Sequence, residues 1–210
     1  QRFNTANGLT VSGNTEVDGG TIKLDGDYPT GTQNVALGNT ALDSLTSGNY
    51  NTAIGSNTLT ANNGNSNVAV GAFAGDSISG AANTIIGTQA MQDATSGDDN
   101  VAVGFDALGS STTASDNVAV GRDALNSNTT GTRNVSVGWQ SSDANTTGNY
   151  NSVVGGNALG SNTTGSNHTA IGYAALNANT TADNNTAIGY AALNVSTTGS
   201  DNTAVGKNSL

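Results

Sequence analysis

The sequence predicts an all-β chain folded as a parallel β-solenoid of about eleven 17-residue coils. Three observations predict it. A glycine returns at positions 38, 55, 71, 87, 104, 121, 138, 155, 172, 189 and 206, at steps of 17, 16 and 16 and then 17 seven times. An aliphatic residue always precedes it, and four residues before it stands Asn, with His168 the one exception. The linking residues are mostly Asn, Thr, Ser and Gly, which are poor helix formers, in a unit too short for two helices and a loop. A short, near-constant period means one unit stacked on copies of itself. Identical residues would then recur about 4.8 Å apart, and eleven coils would make a rod on the order of 50 Å long.

Two regions follow in chain order. Residues 1–33 stand outside the repeat and read as an N-terminal cap or connector. Residues 9–11 and 21–24 read as short strands around a glycine-rich turn, and Pro29, the only proline, marks the junction. Such a cap covers a solenoid end against edge pairing. Residues 34–210 form the solenoid. The chain begins at Gln1 rather than Met and stops shortly after the eleventh anchor glycine, so we expect a segment of a longer protein.

Within a coil, the run from Asn to the anchor glycine is a strand: Asn117-Val-Ala-Val-Gly121 is one copy. β-branched residues bounded by Asn and Gly are the signal. Neighbouring slots face opposite ways. The slot before the glycine (Val120, Val137) and the mostly Ala slot before that are both apolar, so the strand should be covered on both faces. A thin coil has one interior, and the second cover is expected from neighbouring chains in a homotrimer. We assign the Val120 and Val137 slot to the buried set and place Asn128 and Thr129 among tolerant positions. Ala-Leu, as in Ala124-Leu125, reads as a second, shorter strand. Thr-Thr-Gly, as at Thr129-Thr130-Gly131, reads as a turn whose glycine supplies positive φ, although Ala114 and Ala182 replace it twice. The Asn slot should form a ladder of amides up and down the stack.

Composition narrows the function classes. The chain has 210 residues, 10% of them charged, a net charge of −10 and five basic residues. Those five are scattered, which excludes a basic stripe for nucleic acid or anionic lipid. There is no Cys, hence no disulfide and no thiolate metal site. No apolar run is long enough to insert in a membrane as a helix.

No cofactor, catalytic or metal residue is expected. Ser77 sits in a Gly-Asp-Ser motif resembling a nucleophile elbow but lacks a base. The only histidine, His168, occupies the Asn slot and reads as a ladder substitution. Asp25, Asp27, Asp98 and Asp99 offer too few oxygens for calcium and read as turn residues. The Asn-Thr-Thr runs at Asn128, Asn145, Asn162 and Asn179 match a glycosylation sequon, as this composition makes common. Adjacent threonines point to opposite faces, which argues against an ice-binding array. The slot after the anchor glycine carries Phe105, Arg122, Trp139, Tyr173, Tyr190 and Lys207. Stacked in register, these side chains share one edge of the rod, either packed at a corner or between chains, or open for recognition of host-surface glycans.

The Asn-x-Ala-Ile-Gly core, as at Asn51 to Gly55 and Asn185 to Gly189, resembles the head repeat of trimeric autotransporter adhesins. That resemblance implies a left-handed roll of three parallel chains on a bacterial cell surface. Gly19-Gly-Thr-Ile-Lys-Leu-Asp-Gly-Asp-Tyr-Pro-Thr-Gly-Thr32, running into Asn34-Val-Ala-Leu-Gly38, is similar to tail-fibre and virion structural proteins of marine contractile-tailed phages. This second likeness spans most of the chain. It implies a homotrimeric fibre segment of a virion, associated with other fibre proteins and serving host attachment without catalysis.

Overall fold

A computed structural model describes residues 33–210. The cap or connector expected over residues 1–33 lies outside the described residues, apart from Gln33. Eleven strands of three residues each, from β1 (Val35–Leu37) to β11 (Thr203–Val205), lie in chain order in one parallel sheet. Each strand pairs only with the strand one coil away. β6 (Val118–Val120) sets Val118, Ala119 and Val120 against Val135, Ser136 and Val137 of β7 (Val135–Val137). The 16-residue coils keep this register, Thr52 pairing with Val68 and Val68 with Thr84. The missing residue comes out of the turn, where Asn63-Gly64 and Ser79-Gly80 replace a three-residue run such as Thr129-Thr130-Gly131.

The hydrogen-bond ladder continues beyond the strands around the coil. The N–H of Val118 donates to the Asn134 carbonyl at 2.8 Å and that of Gly121 to Val103 at 2.8 Å. In the turns, Leu125 N–H donates to Ser141 at 3.0 Å and Thr129 N–H to Thr146 at 3.0 Å. This corrects the expected second strand. Ala124-Leu125 and its equivalents lie in turns, because the chain reverses there while its amides still point along the rod. The reversal uses left-handed residues two and four after the anchor glycine, such as Asp123 at φ 57° and Leu125 at φ 50°. Asp and Asn tolerate that region. Leucine does not, and Leu125 is held there by complete burial and its inter-coil bond.

The Thr-Thr-Gly glycine has no positive φ, which corrects a second expectation. The left-handed residue lies two positions later, at Arg133 (φ 58°) and Tyr150 (φ 59°). Gly131 instead permits close approach, since a Cβ there would meet the Gly148 carbonyl of the next coil. The anchor glycine is constrained twice over. Gly121 has φ +140° and its missing Cβ faces the Gly138 carbonyl.

The strand faces are assigned by burial. Ala53, Ala69, Ala102, Ala119, Ala170 and Ala187 point inward and are fully buried. The aliphatics one residue later point outward, with Val120 and Val137 half-buried and Ile54, Ile86, Val154 and Ile171 exposed. Within one chain, therefore, the Val120 slot is an outer face. Asn128, expected to be tolerant, is completely buried. The reason is size. The coil is so thin that strand and opposite turn can meet only across a small side chain, and Ala leaves room for the Leu that crosses from the turn. Where Gly75 replaces that Leu, Ile85 replaces the Ala, and a Cβ on Gly75 would stand 2.7 Å from Ile85 Cδ1 and 2.9 Å from Leu59 Cδ2.

Two amide columns complete the interior. In the first, the Asn117 Oδ1 accepts the backbone N–H of Asn134 at 2.9 Å and its Nδ2–H at 3.2 Å, while Asn134 Nδ2 donates to the Gly148 carbonyl at 2.8 Å and closes its own coil. The second column went unread in the sequence. Asn145 donates to Asn128 Oδ1 at 2.9 Å, Asn162 to Asn145 at 2.8 Å and Asn179 to Asn162 at 2.9 Å. The apolar core is interrupted once. Ser136, Ser141 and Ser142 replace the inward Ala, Ala and Leu of a single coil, dividing a cluster ending at Leu125 from one beginning at Val153. Ser136 Oγ donates to Ser141 Oγ at 2.8 Å, and Ser142 Oγ is buried without a partner.

The two glycine slots should respond differently to a methyl group. Gly121→Ala should lose roughly 3 kcal/mol, because φ and the next coil both oppose it. Gly131→Ala should lose about 1 kcal/mol, a typical single-site change, since Ala114 and Ala182 already occupy that slot. Thermal or urea unfolding of the two variants checks the order.

Candidate functional site

The column after the anchor glycine is an open edge. Phe105, Trp139, Tyr173 and Tyr190 are roughly half exposed, and Arg122 is largely so. The register that fixes the strands places each of these residues one coil from the next, so side chains far apart in sequence become neighbours. The Arg122 guanidinium lies over the Phe105 ring at 5.6 Å and pairs with Asp123 at 3.2 Å. Tyr173 and Tyr190 stack with centroids 5.6 Å apart and planes 18° from parallel, and the Lys207 ammonium sits 5.7 Å from the Tyr190 centroid. Trp139 stands between these two groups. Gly156 fills the slot above it and leaves a one-coil gap before Tyr173.

The expected recognition residues thus fall into two stacked sets and one separate ring. A second decorated column precedes the Asn slot and was not singled out in the sequence. There Asp116, Arg133 and Tyr150 follow one another, with Arg133 Nε 3.6 Å from Asp116 and Nη1 donating to Tyr150 Oη at 2.8 Å. The guanidinium also lies 5.6 Å from the Tyr150 centroid. Reading the slot before Asn as a column, as was done for the slot after Gly, would have found it. Along the chain these two columns flank the outward aliphatic strand face.

The remaining candidates resolve into repeat architecture. Ser77 is exposed in the third coil, whereas His168 opens the ninth. Asp98 accepts the Ala81 N–H at 2.7 Å, as a turn residue does. Among the described residues, no three His, Cys, Asp or Glu are grouped so as to share a metal ion. The sequon asparagines Asn128, Asn145, Asn162 and Asn179 are buried in the second amide column. The first threonine of each pair is committed to the stack, Thr129 Oγ1 donating to the Thr146 carbonyl at 3.0 Å and Thr146 Oγ1 to Thr163 at 2.9 Å. No enclosed cavity opens among the described residues, so a ligand would be held on the outside of the coil. No described helix is long and apolar enough to cross a membrane.

His168 stands in for a carboxamide, as expected of a ladder substitution. Its N–H donates to Asn151 Oδ1 at 2.9 Å, and its Nδ1 accepts the Asn185 N–H at 3.2 Å, where Asn uses Oδ1. Its Nε2 lies 3.1 Å from Asn179 Nδ2 of the second column. Burial holds the imidazole pKa below its ordinary 6.5. Two carboxyls shift the other way. Burial, then repulsion from Asp123 in the next coil, raises Asp106, and burial raises Asp143.

As pH falls through 6.5, the unfolded chain takes up the histidine proton before the folded chain does. Stability should therefore fall from pH 7 towards pH 5, until the folded ring also protonates. His168→Asn should remove that component. Melting curves of both proteins at pH 7 and pH 5 check it, with the parent losing more than the variant.

Comparison of the chain with protein-family models, with curated proteins and with solved structures finds no match in any of the three.

Proposed function

We infer that this chain is a segment of a homotrimeric fibre, belonging to a phage tail or similar virion appendage, that acts as a stiff, multivalent spacer in host attachment. The observation that carries this reading is the outward strand face. Leu37, Ile54, Ile86, Val154, Ile171, Ile188 and Val205 are exposed on it in the slot before the anchor glycine, which is aliphatic in every coil, and two residues earlier Val68 and Val135 are exposed in a slot that Val shares with Thr and Ser. An apolar stripe of this kind marks an interaction surface. Its periodicity favours one occupant. A partner without the same spacing matches the stripe at one or two coils, whereas another copy of the chain, parallel and in register, matches it at all of them. Three copies around an axis would bury the aliphatic columns and leave the columns of Trp139 and Tyr150 along the rims. Interfaces commonly have this order, with an apolar centre and a polar border.

The mechanical role rests on the hydrogen bonding. Coils tied to each other through strands and turns resist bending, and three such rods joined along their length resist it more. A trimer also presents each surface slot three times, so weak contacts add through avidity. The phage-fibre assignment draws on the sequence likeness of residues 19–38 and of the Thr-Thr-Gly-x-x-Asn-Thr-Ala-Ile-Gly phrase. The Asn-x-Ala-Ile-Gly strand supports a second reading, the head of a bacterial trimeric surface adhesin. Both assign the outward face the same task.

Light scattering on the purified chain should give three times the monomer mass. The double variant Val120→Asp, Val137→Asp should shift that mass to the monomer while keeping the β circular dichroism spectrum. A parent that stays monomeric at high concentration, or a variant that stays trimeric, contradicts the proposal.

A further inference from the structure

We propose that Trp139, Gly156 and Tyr173 form a subsite for one ring of a neutral carbohydrate. This assigns a ligand class to the recognition edge of the reading above, and its test does not depend on the oligomeric state.

The argument begins with what each ring of the column has beside it. Phe105 is covered by Arg122, while Tyr173 and Tyr190 cover each other and Lys207 covers the far side of Tyr190. Trp139 alone among these rings has neither an aromatic nor a cationic neighbour stacked on it, and it is 49% exposed. Arg122, one coil away, is engaged with Phe105 and Asp123. On the other side stands Gly156, which has no side chain to offer.

The gap is one residue deep and floored by backbone. Two coil steps separate the Trp139 and Tyr173 positions, roughly 10 Å along the rod. Van der Waals contact takes about 3.5–4.0 Å on each side of an inserted ring, so one ring fits and two do not. Tyr173 leans towards the gap, its ring carbons 3.5 and 3.7 Å from where a Gly156 Cβ would stand. A ring resting on the indole would therefore have Tyr173 as its far wall. The neighbouring column supplies polar groups. Gln140 and Asn157, each next in sequence to a residue of the gap, are half-buried; their backbone N–H groups are bonded to the neighbouring coil, and their side-chain carboxamides are engaged in no hydrogen bond among the described residues. Carboxamides in the adjoining slot suit a saturated ring with apolar C–H faces and peripheral hydroxyls.

Charge selects among carbohydrates. The chain carries a net −10, and Arg122, the nearest cation in the column, is already paired with Asp123. A sulfated or uronic-acid chain would meet repulsion. A neutral sugar whose hydroxyls are equatorial, leaving both faces apolar, meets none.

The chain's only tryptophan lies in the subsite, so its emission reports occupancy directly. Titrating the protein with a neutral β-linked N-acetylglucosamine tetramer should shift the emission saturably in the millimolar range, and an alginate oligomer of equal length should not. Gly156→Tyr should fold normally, since a Cβ meets only ordinary contacts there, and should continue the stack into the gap. It should weaken binding by about tenfold or more, a loss of 1.4 kcal/mol. Gly156→Ala, which leaves most of the gap open, should bind nearly as the parent does. Trp139→Ala, followed by calorimetry, should lose binding. Absence of a saturable shift with the tetramer, an equal response to the alginate oligomer, or unchanged affinity in Gly156→Tyr would each overturn the proposal. If the chain binds the tetramer as a monomer, the subsite stands and the trimer does not.

Discussion

Every residue of this rod sits beside its own counterpart one coil away, and that constraint governs the rest of the structure. A residue type is admissible in a slot only if it is compatible with a copy of itself at about the spacing of paired strands. Asparagine satisfies this in the interior because a carboxamide donates on one side and accepts on the other. The pairing of Asn134 with Asn117 can repeat from coil to coil without leaving a group unpaired. The same rule explains His168, whose Nδ1 takes over the acceptor role towards Asn185. It also explains why an end of the second column is costly. Asn179 Oδ1 is buried without a partner because Ser196 stands where another Asn would donate to it.

On the surface the rule becomes one of charge and ring stacking. Aspartates one coil apart repel, and at Asp106 the charge of Asp123 adds to burial in raising the carboxyl pKa. The columns limit this by alternating chemistry. Arg122 separates Phe105 from Trp139, and Arg133 bridges Asp116 and Tyr150. Stacked aromatics are stable but present edges outward, so recognition through a ring face needs a break in the column. Gly156 is such a break. The rule therefore connects stability to function: a perfect column is structural, and an interrupted one is available.

The period, the strand and the Asn ladder were legible in the sequence because each leaves one residue class, repeated with few exceptions, in every coil. The turn geometry was not. Leu125 and Arg133 adopt left-handed φ although neither residue type prefers it, so no local signal marks them. Glycine misled in the other direction. Gly131 sits in a turn-like run but serves close approach, and its replacement by Ala elsewhere was the one available clue. Which strand face turns into the coil was not legible for a similar reason. Val looks more buried than Ala on any hydropathy scale, yet a thin coil has room inside only for the smaller residue, as Ala119 and Val120 show. The candidate edge was found because its residues are large and conspicuous. The column of Tyr150 and Arg133 was missed because its members vary too much to look like one slot.

Hydrogen exchange resolved by residue tests the governing constraint most directly. If coils are bonded along their whole contour, the turn amides of Leu125, Ser127 and Thr129 should be protected to nearly the same degree as Val118 and Gly121 in and beside the strand. If protection is confined to the three-residue strands and the turn amides exchange as freely as an unstructured chain, the coils are held by the strands alone and the account is wrong.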